Sequence, residues 1–171
     1  MTPTLIHEGR TTDSDALEAR VLRAAGALQA LGVTAADTVA LMLRNTPAAI
    51  EAMLALRWLG ATWCPINWHF RHDELHTILA DCGARLFVAE AALLRELHDA
   101  VPPGMIAIAA GDAGAQSQPW PQWGALRDAA APCTDAAATP RGPMLYTSGT
   151  TGKPKGIRRR LPTPQQVTRA L

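Results

Sequence analysis

Apolar residues recur along the chain with the periods that distinguish helices from strands. The first set repeats at spacings of four and three, typical of one face of an amphipathic helix: Leu17, Val21, Ala24, Leu28 and Leu31. Thr12 with Asp15 is the expected cap at the start of this helix, and Gly32 is its expected end. The apolar run over residues 38–43 then predicts a buried strand.

Helices and strands continue to alternate up to residue 110. A second helix is predicted to begin at Thr46-Pro47, because proline suits the first helical position, and to end at Gly60. Its predicted apolar face consists of Ile50, Met53, Leu54 and Trp58. Further strands are predicted over residues 61–66, 86–88 and 105–109, and further helices over residues 73–82 and 91–98. Beyond this region, residues 122–131 are predicted to form one short helix. This alternation predicts an α/β fold, with a mostly parallel sheet and helices on both faces.

A polar segment with the chemistry of an anion-binding loop follows the apolar run at residues 143–146. Residues 147–156 read Thr-Ser-Gly-Thr-Thr-Gly-Lys-Pro-Lys-Gly. Glycines allow the backbone to approach a ligand closely, and free backbone N–H groups form an anion-binding concavity. Hydroxyl groups donate hydrogen bonds and lysines supply positive charge. The segment is therefore predicted to bind a polyphosphate, beyond the carboxyl end of a strand, where ligands of parallel sheets bind.

Two other loops with related sequences are excluded by their spacing. A Walker A loop needs glycine five residues before its Gly-Lys pair and Ser or Thr after the lysine, but Thr147 and Pro154 stand there. A nucleophile elbow needs glycine two residues to either side of its serine, but Ser148 has Tyr146 and Thr150 in those places. A flexible basic linker remains the alternative interpretation of the segment.

The distribution of charge supports an anionic ligand for this segment. The net charge of the 171 residues is only +1, which gives no indication of nucleic-acid binding. Seven of the 16 basic residues nevertheless lie in residues 136–171, where there is no acidic residue. A composition of 48% hydrophobic and 18% charged residues is typical of one globular domain.

Neither a metal site nor a membrane segment is predicted. The three cysteines are widely spaced, and His72 and His76 miss the zinc-protease pattern, because aspartate rather than glutamate follows the first histidine. These histidines are interpreted as surface or structural residues. No stretch is apolar enough to span a bilayer, and the N-terminus does not resemble a signal peptide, so a cytoplasmic location is expected.

Residues 146–156 resemble, without a gap, the phosphate-binding signature of the adenylate-forming enzymes, which include acyl-CoA synthetases, aryl-CoA ligases, luciferases and adenylation domains of peptide synthetases. Residues 28–43, 60–67 and 74–85 resemble the first helix and strand, the Gly-Ala-x-x-x-Pro-x-Asn turn and the next helix and strand of this family. The resemblance implies the N-terminal portion of the large domain of such an enzyme. It divides the chain into alternating strands and helices (1–110), a connector (111–142) and a strand–loop–strand unit (143–160), with the C-terminal domain absent.

By this resemblance the chain is part of an acyl-CoA synthetase, which uses ATP to adenylate a small-molecule carboxylic acid and then transfers the acyl group to coenzyme A. The ATP phosphates would be bound by Thr147, Ser148, Gly149, Thr150, Thr151, Gly152 and Lys153. Lys155 would either join them or face solvent. The stretch Asn67-Trp68-His69-Phe70 resembles fatty-acyl ligases, which implies an apolar acid and a role in fatty acid metabolism.

The family's remaining functional motifs lie downstream of the region that this chain resembles. They are the adenine motif with its Mg²⁺-binding glutamate, the ribose-binding aspartate and the C-terminal lysine. No catalytic residue and no metal ligand is therefore assigned within residues 1–171, and the chain alone is expected not to complete adenylation. The alternative is a truncated, inactive nucleotide-binding remnant or pseudogene product. An uncovered strand edge and apolar face are also expected, and the sequence leaves open whether the chain forms a homo-oligomer.

Overall fold

A four-stranded parallel sheet forms the centre of the computed structural model, which describes residues 4–111, 119–137, 139–147 and 155–158. The strands are β1 (Leu5–His7), β2 (Arg10–Thr12), β3 (Thr38–Met42), β4 (Thr62–Pro65), β5 (Leu86–Glu90), β6 (Ile106–Ala110), β7 (Met144–Thr147) and β8 (Lys155–Arg158). The helices are α1 (Ser14–Ala30), α2 (Pro47–Trp58), α3 (His72–Asp81), α4 (Ala91–Leu97) and α5 (Trp123–Ala129), with a 3₁₀ turn at His98–Ala100. The parallel sheet has the strand order β4–β3–β5–β6.

Both faces of the parallel sheet are covered by helices. Val39 and Leu41 of β3 face a core shared with α1, α2 and α5, whereas Ala40 and Met42 face a second core shared with α3 and α4. Every residue of β3 is buried, which explains why this strand is a continuous apolar run rather than an alternating pattern. The prediction of an α/β fold with helices on both faces is therefore confirmed.

The predicted cap of α1 is wrong. Asp13, and not Thr12 with Asp15, is the N-cap, and its carboxylate accepts a hydrogen bond from the Ala16 backbone N–H at 2.8 Å. Thr12 is unsuited to that place because it belongs to β2. The predicted end is correct, since Gly32 follows the helix with a φ of 82°.

The extent of α2 is as predicted, whereas its buried face is only partly as predicted. The prediction placed Ile50, Met53, Leu54 and Trp58 toward the core. Met53 and Trp58 do pack against the core, but both are only partly buried. The fully buried residues of α2 are mainly small, with one glutamate among them: Ala49, Glu51, Ala52, Ala55 and Leu56. Leu54 is 38% exposed. Small side chains on α2 face Ala24 and Ala25 of α1. They let the two helices approach closely, and this helix–helix contact determines which face of α2 is buried.

A hairpin near the N-terminus was not predicted. Strands β1 and β2 pair antiparallel, and Glu8 and Gly9 form the turn with φ values of 49° and 73°. Positive φ at both turn residues matches the twist of a two-residue hairpin turn. Three-residue strands are too short to produce a recognisable period of two, so the pattern of apolar residues could not reveal them.

Strands β7 and β8 form a second hairpin at the other end of the described chain. They pair antiparallel, from Met144 opposite Arg158 to Thr147 opposite Lys155. Pro143 forms a parallel bridge with Trp63 of β4, so β7 runs beside β4 in the same direction. Thr147, the last residue of β7, therefore lies on the carboxyl side of the parallel sheet.

Candidate functional site

The hairpin of β7 and β8 carries the two ends of the segment predicted to bind phosphate. Thr147 ends β7, Lys155 begins β8, and the two residues are partners across the hairpin. The other predicted site residues lie outside the described residues: Ser148, Gly149, Thr150, Thr151, Gly152 and Lys153. The structure thus brings together Thr147 and Lys155, which are eight positions apart in the sequence.

Alternation along the strands gives the hairpin two different faces. The outer face carries Leu145, Thr147, Lys155 and Ile157, all of which are exposed. The inner face carries Met144, Tyr146, Gly156 and Arg158. Lys155 therefore projects away from the core on the same side as the Thr147 hydroxyl, where both groups are accessible to a solvent-borne anion.

The inner face is attached to the C-terminal end of α3 by two polar contacts. The Tyr146 hydroxyl donates a hydrogen bond to the Asp81 carboxylate. The Arg158 Nη2 donates to the Cys82 carbonyl oxygen at 2.9 Å. Burial first, and then the hydrogen bond to Asp81, hold the pKa of Tyr146 well above its ordinary value, so the hydroxyl remains a donor at neutral pH.

Gly156 is required by the packing of this inner face. A Cβ atom at this position would lie 2.4 Å from the Met144 Cε and 3.0 Å from the Tyr146 Cζ. The backbone of β8 thus passes directly against these two side chains. Met144 is itself buried in the core between the sheet and α3, which anchors the hairpin from its apolar side.

A separate crevice of about 510 Å³ lies at the carboxyl ends of β3, β5 and β6. Arg44 and Glu90 line it as an ion pair, and the Arg44 guanidinium also lies 4.4 Å from the centre of the Trp68 ring. The Thr46 hydroxyl, which also lines the crevice, is buried and has no hydrogen-bond partner among the described residues. Residues just beyond the ends of parallel strands form the usual ligand crevice of α/β proteins. This crevice was not predicted from the sequence, although charged residues at the ends of strands could have indicated it.

A buried charged cluster connects α1, α2 and α5 on the opposite face of the sheet. The Glu51 carboxylate of α2 is 1% exposed and accepts hydrogen bonds from Arg127 at 2.7 Å, Trp123 Nε1 at 3.2 Å and Arg20 at 3.4 Å. Hydrogen bonds to Asp128 and Glu51 raise the pKa of the Arg127 guanidinium, which remains charged. The cluster joins three helices beside one core, whereas the β7–β8 hairpin packs against the other, so a structural role is assigned to the cluster.

The described residues contain no recognisable metal site. Within residues 4–111, 119–137, 139–147 and 155–158, no three His, Cys, Asp or Glu side chains lie together in a way that could hold a metal ion. His72 and His76 are exposed, as interpreted from the sequence. No helix in the described part of the chain has the length and hydrophobicity that a membrane span needs.

Comparison with known proteins identifies one family over nearly the whole chain. A model of the family described as AMP-binding enzyme matches residues 2–160. An indoleacetate–CoA ligase of Aromatoleum aromaticum is 35% identical over 140 residues, which cover 80% of this chain and 27% of the ligase. A fatty acid–[acyl-carrier-protein] ligase of Streptomyces coeruleorubidus is 34% identical over 160 residues, covering 91% of this chain and 29% of that protein. The chain thus spans less than a third of the length of these relatives.

Solved structures of CoA ligases have the same fold in the region they share with this chain. A benzoate CoA ligase from Burkholderia xenovorans superposes with a TM-score of 0.76 and 30% identity, over 90% of this chain and 30% of the ligase. An O-succinylbenzoate CoA synthetase from Bacillus subtilis, in complex with AMP, gives a TM-score of 0.71 and 27% identity over 93% of this chain and 39% of that protein.

Proposed function

Because the chain belongs to the AMP-binding enzyme family, we propose that it supplies the ATP phosphate-binding loop of an acid–CoA ligase. Its fold is that of the N-terminal part of the large domain of adenylate-forming enzymes. The proposal divides the chain into the alternating unit 1–110, the connector 111–142 and the phosphate-binding unit 143–160. The single observation that carries it is the hairpin that holds Thr147 and Lys155 side by side on an exposed face, at the two ends of a Gly-, Ser- and Thr-rich segment.

The proposed reaction joins a carboxylic acid to the α-phosphate of ATP and releases pyrophosphate. Negative charge grows on the β- and γ-phosphates as pyrophosphate leaves, so the required catalysis is mainly electrostatic. Lys153 would neutralise part of this charge, and the hydroxyl and backbone N–H groups of residues 147–152 would hold the phosphate oxygens. Mg²⁺ would add positive charge to the same phosphates, but the described residues offer it no ligand set. Transfer of the acyl group to coenzyme A would follow.

We propose an apolar carboxylic acid, aliphatic or aromatic, as the substrate. Three of the four proteins named above act, by their names, on indoleacetate, fatty acid and benzoate, each of which combines one carboxylate with an apolar body. The fourth acts, by its name, on O-succinylbenzoate, which has an aromatic ring but carries a second carboxylate. The resemblance of residues 67–70 to fatty-acyl ligases favours the aliphatic group. A cytoplasmic location and a role in fatty acid metabolism are part of this proposal.

Isothermal titration calorimetry with ATP, inorganic triphosphate and AMP tests the phosphate-binding loop. ATP and triphosphate are expected to bind, whereas AMP, which lacks the β- and γ-phosphates, is expected to bind far more weakly. Lys153→Ala should weaken triphosphate binding about tenfold or more, since it removes a charge-assisted contact. Arg57→Ala, which removes a positive charge at an exposed position of α2, is the matched control and should bind triphosphate as the wild type does. Equal binding of AMP and triphosphate, or an unchanged affinity in Lys153→Ala, would contradict the proposal.

Acid-dependent exchange of pyrophosphate into ATP tests the ligase activity. We expect no exchange from the polypeptide of residues 1–171 by itself, because the segments that the resemblance assigns to adenine, Mg²⁺ and the carboxylate are not among these residues. Exchange by this polypeptide would contradict that expectation. If triphosphate binding were also absent, the alternative of an inactive remnant would be favoured.

A further inference from the structure

Each strand of the β7–β8 hairpin sends one polar side chain to the same end of α3. Tyr146 of β7 bonds the Asp81 carboxylate, and Arg158 of β8 bonds the Cys82 carbonyl oxygen at 2.9 Å. The last carbonyl groups of a helix lack intrahelical partners and carry partial negative charge. A guanidinium group is therefore well matched to the carbonyl of Cys82, which is the C-cap of α3.

These contacts lie immediately next to the proposed phosphate loop. Tyr146 precedes Thr147 and is the cross-strand partner of Gly156, which follows Lys155. The absence of a side chain at Gly156 allows the Tyr146 ring to lie against β8, where a Cβ would be 3.0 Å from the ring. One contact fixes the strand that enters the loop, and the other fixes the strand that leaves it.

Loops bind ligands more tightly when their ends are already held in the bound geometry, because less conformational entropy is lost on binding. Asp81 and Arg158 both form hydrogen bonds that attach the hairpin to α3. Arg158 lies on the face of the hairpin opposite Thr147 and Lys155, and Asp81 contacts that same inner face through Tyr146. They are thus placed to act on a phosphate ligand through the hairpin and not by direct contact.

We infer that Asp81 and Arg158 are positioning residues for the phosphate loop: they attach β7 and β8 to the end of α3, and this attachment raises the affinity of the loop for a triphosphate group. The inference rests on the proposed function, which it deepens by assigning a role to residues outside residues 147–156. It predicts that both residues affect triphosphate binding although neither touches the ligand.

A double-mutant cycle on the Tyr146–Asp81 pair tests the inference, with the triphosphate dissociation constant as the readout. Tyr146→Phe and Asp81→Ala should each weaken triphosphate binding about fivefold, and the double variant should be no weaker than either single variant. Glu96→Ala, at an exposed position of α4, is the matched control and should bind as the wild type does. Arg158→Met should weaken binding, and Arg158→Lys should restore part of it.

Hydrogen exchange on the same proteins separates this role from a general loss of stability. The backbone amides of β7 and β8 should exchange faster in the Tyr146 and Asp81 variants, whereas those of β3 and β5 should be unchanged. Normal triphosphate binding by these variants would overturn the inference and leave the proposed function intact. If the wild type fails to bind triphosphate, the proposed function falls and the phosphate part of the inference with it. Even in that case, faster amide exchange confined to β7 and β8 in the Tyr146 and Asp81 variants would support the attachment of the hairpin to α3.

Discussion

Replacing Glu51 with glutamine is expected to destabilise the fold more than any exposed substitution. Glutamine has nearly the same shape, so the change removes the negative charge and converts one acceptor oxygen into an NH₂ donor. If the remaining oxygen faces Arg127 and Trp123, the NH₂ group faces the Arg20 guanidinium, which is also a donor. The substitution therefore loses one contact and weakens the others.

The size of the expected loss of stability follows from the burial of the side chains that contact Glu51. The Arg127 side chain is only 16% exposed and Trp123 is 4% exposed, so solvent cannot replace the lost interactions fully. Charge-assisted hydrogen bonds are roughly twice as strong as neutral ones, and breaking a buried ion pair costs about 3–5 kcal/mol. Since glutamine preserves part of the network, we expect a loss of about 2–3 kcal/mol in the free energy of unfolding. In a protein of this size that lowers Tm by about 5–10 °C.

Urea unfolding followed by tryptophan fluorescence and far-UV circular dichroism measures this loss. Glu18→Gln, at an exposed position of α1, is the matched control and should change the free energy of unfolding by less than about 0.5 kcal/mol. Arg20→Met should cost only about 1 kcal/mol or less, because Arg20 is 44% exposed and lies 3.4 Å from Glu51. A Glu51→Gln variant as stable as the control would refute the account of a buried charged cluster that joins three helices.

Three further predictions concern other parts of the fold. Because the pKa of Tyr146 is raised, the folded state keeps a proton that the unfolded chain loses above about pH 10. The contribution of Tyr146 to the free energy of unfolding is therefore complete below that pH and falls above it. Urea titrations should show this decrease with pH in the wild type and a smaller decrease in Tyr146→Phe. Gly26→Ala should destabilise by about 1–3 kcal/mol, because its Cβ would lie 1.9 Å from a backbone carbonyl oxygen, whereas Gly124→Ala, with no atom nearer than 3.9 Å, should be neutral or stabilising in thermal melts. Leu145 and Ile157 form an exposed apolar pair, 46% and 53% accessible. Replacing both with serine should reduce any self-association of the protein measured by sedimentation velocity, and unchanged association would show that this pair is not the associating surface.

Much of the fold follows from local patterns in the sequence. The buried strand β3, the proline at the start of α2 and the glycine after α1 were all identified from residue type and spacing. These features depend on the backbone and on near neighbours in sequence. The face of α2 does not, because it is selected by close contact with α1, where alanine packs better than the larger Leu54.

The candidate site was only partly predictable for the same reason. The composition of residues 147–156 indicates phosphate chemistry, and the register that places Thr147 beside Lys155 follows from two short strands around it. The attachment of Tyr146 to Asp81 joins residues 65 positions apart, and no local pattern encodes such a contact. Similarly, no local pattern marks Glu51 as part of a charged cluster, since its partners Trp123 and Arg127 come more than 70 positions later.

Chemical footprinting of lysine directly tests whether residues 147–153 bind the phosphates of ATP. Lys153 and Lys155 are the only two lysines of the chain, so acetylation followed by mass spectrometry reports on the loop alone, with the N-terminal amine as an internal control. If these residues bind the phosphates, ATP and inorganic triphosphate should slow the acetylation of Lys153 more than that of Lys155, and AMP should slow neither. Equal acetylation of Lys153 with and without triphosphate, or equal protection by AMP, would contradict phosphate binding by these residues.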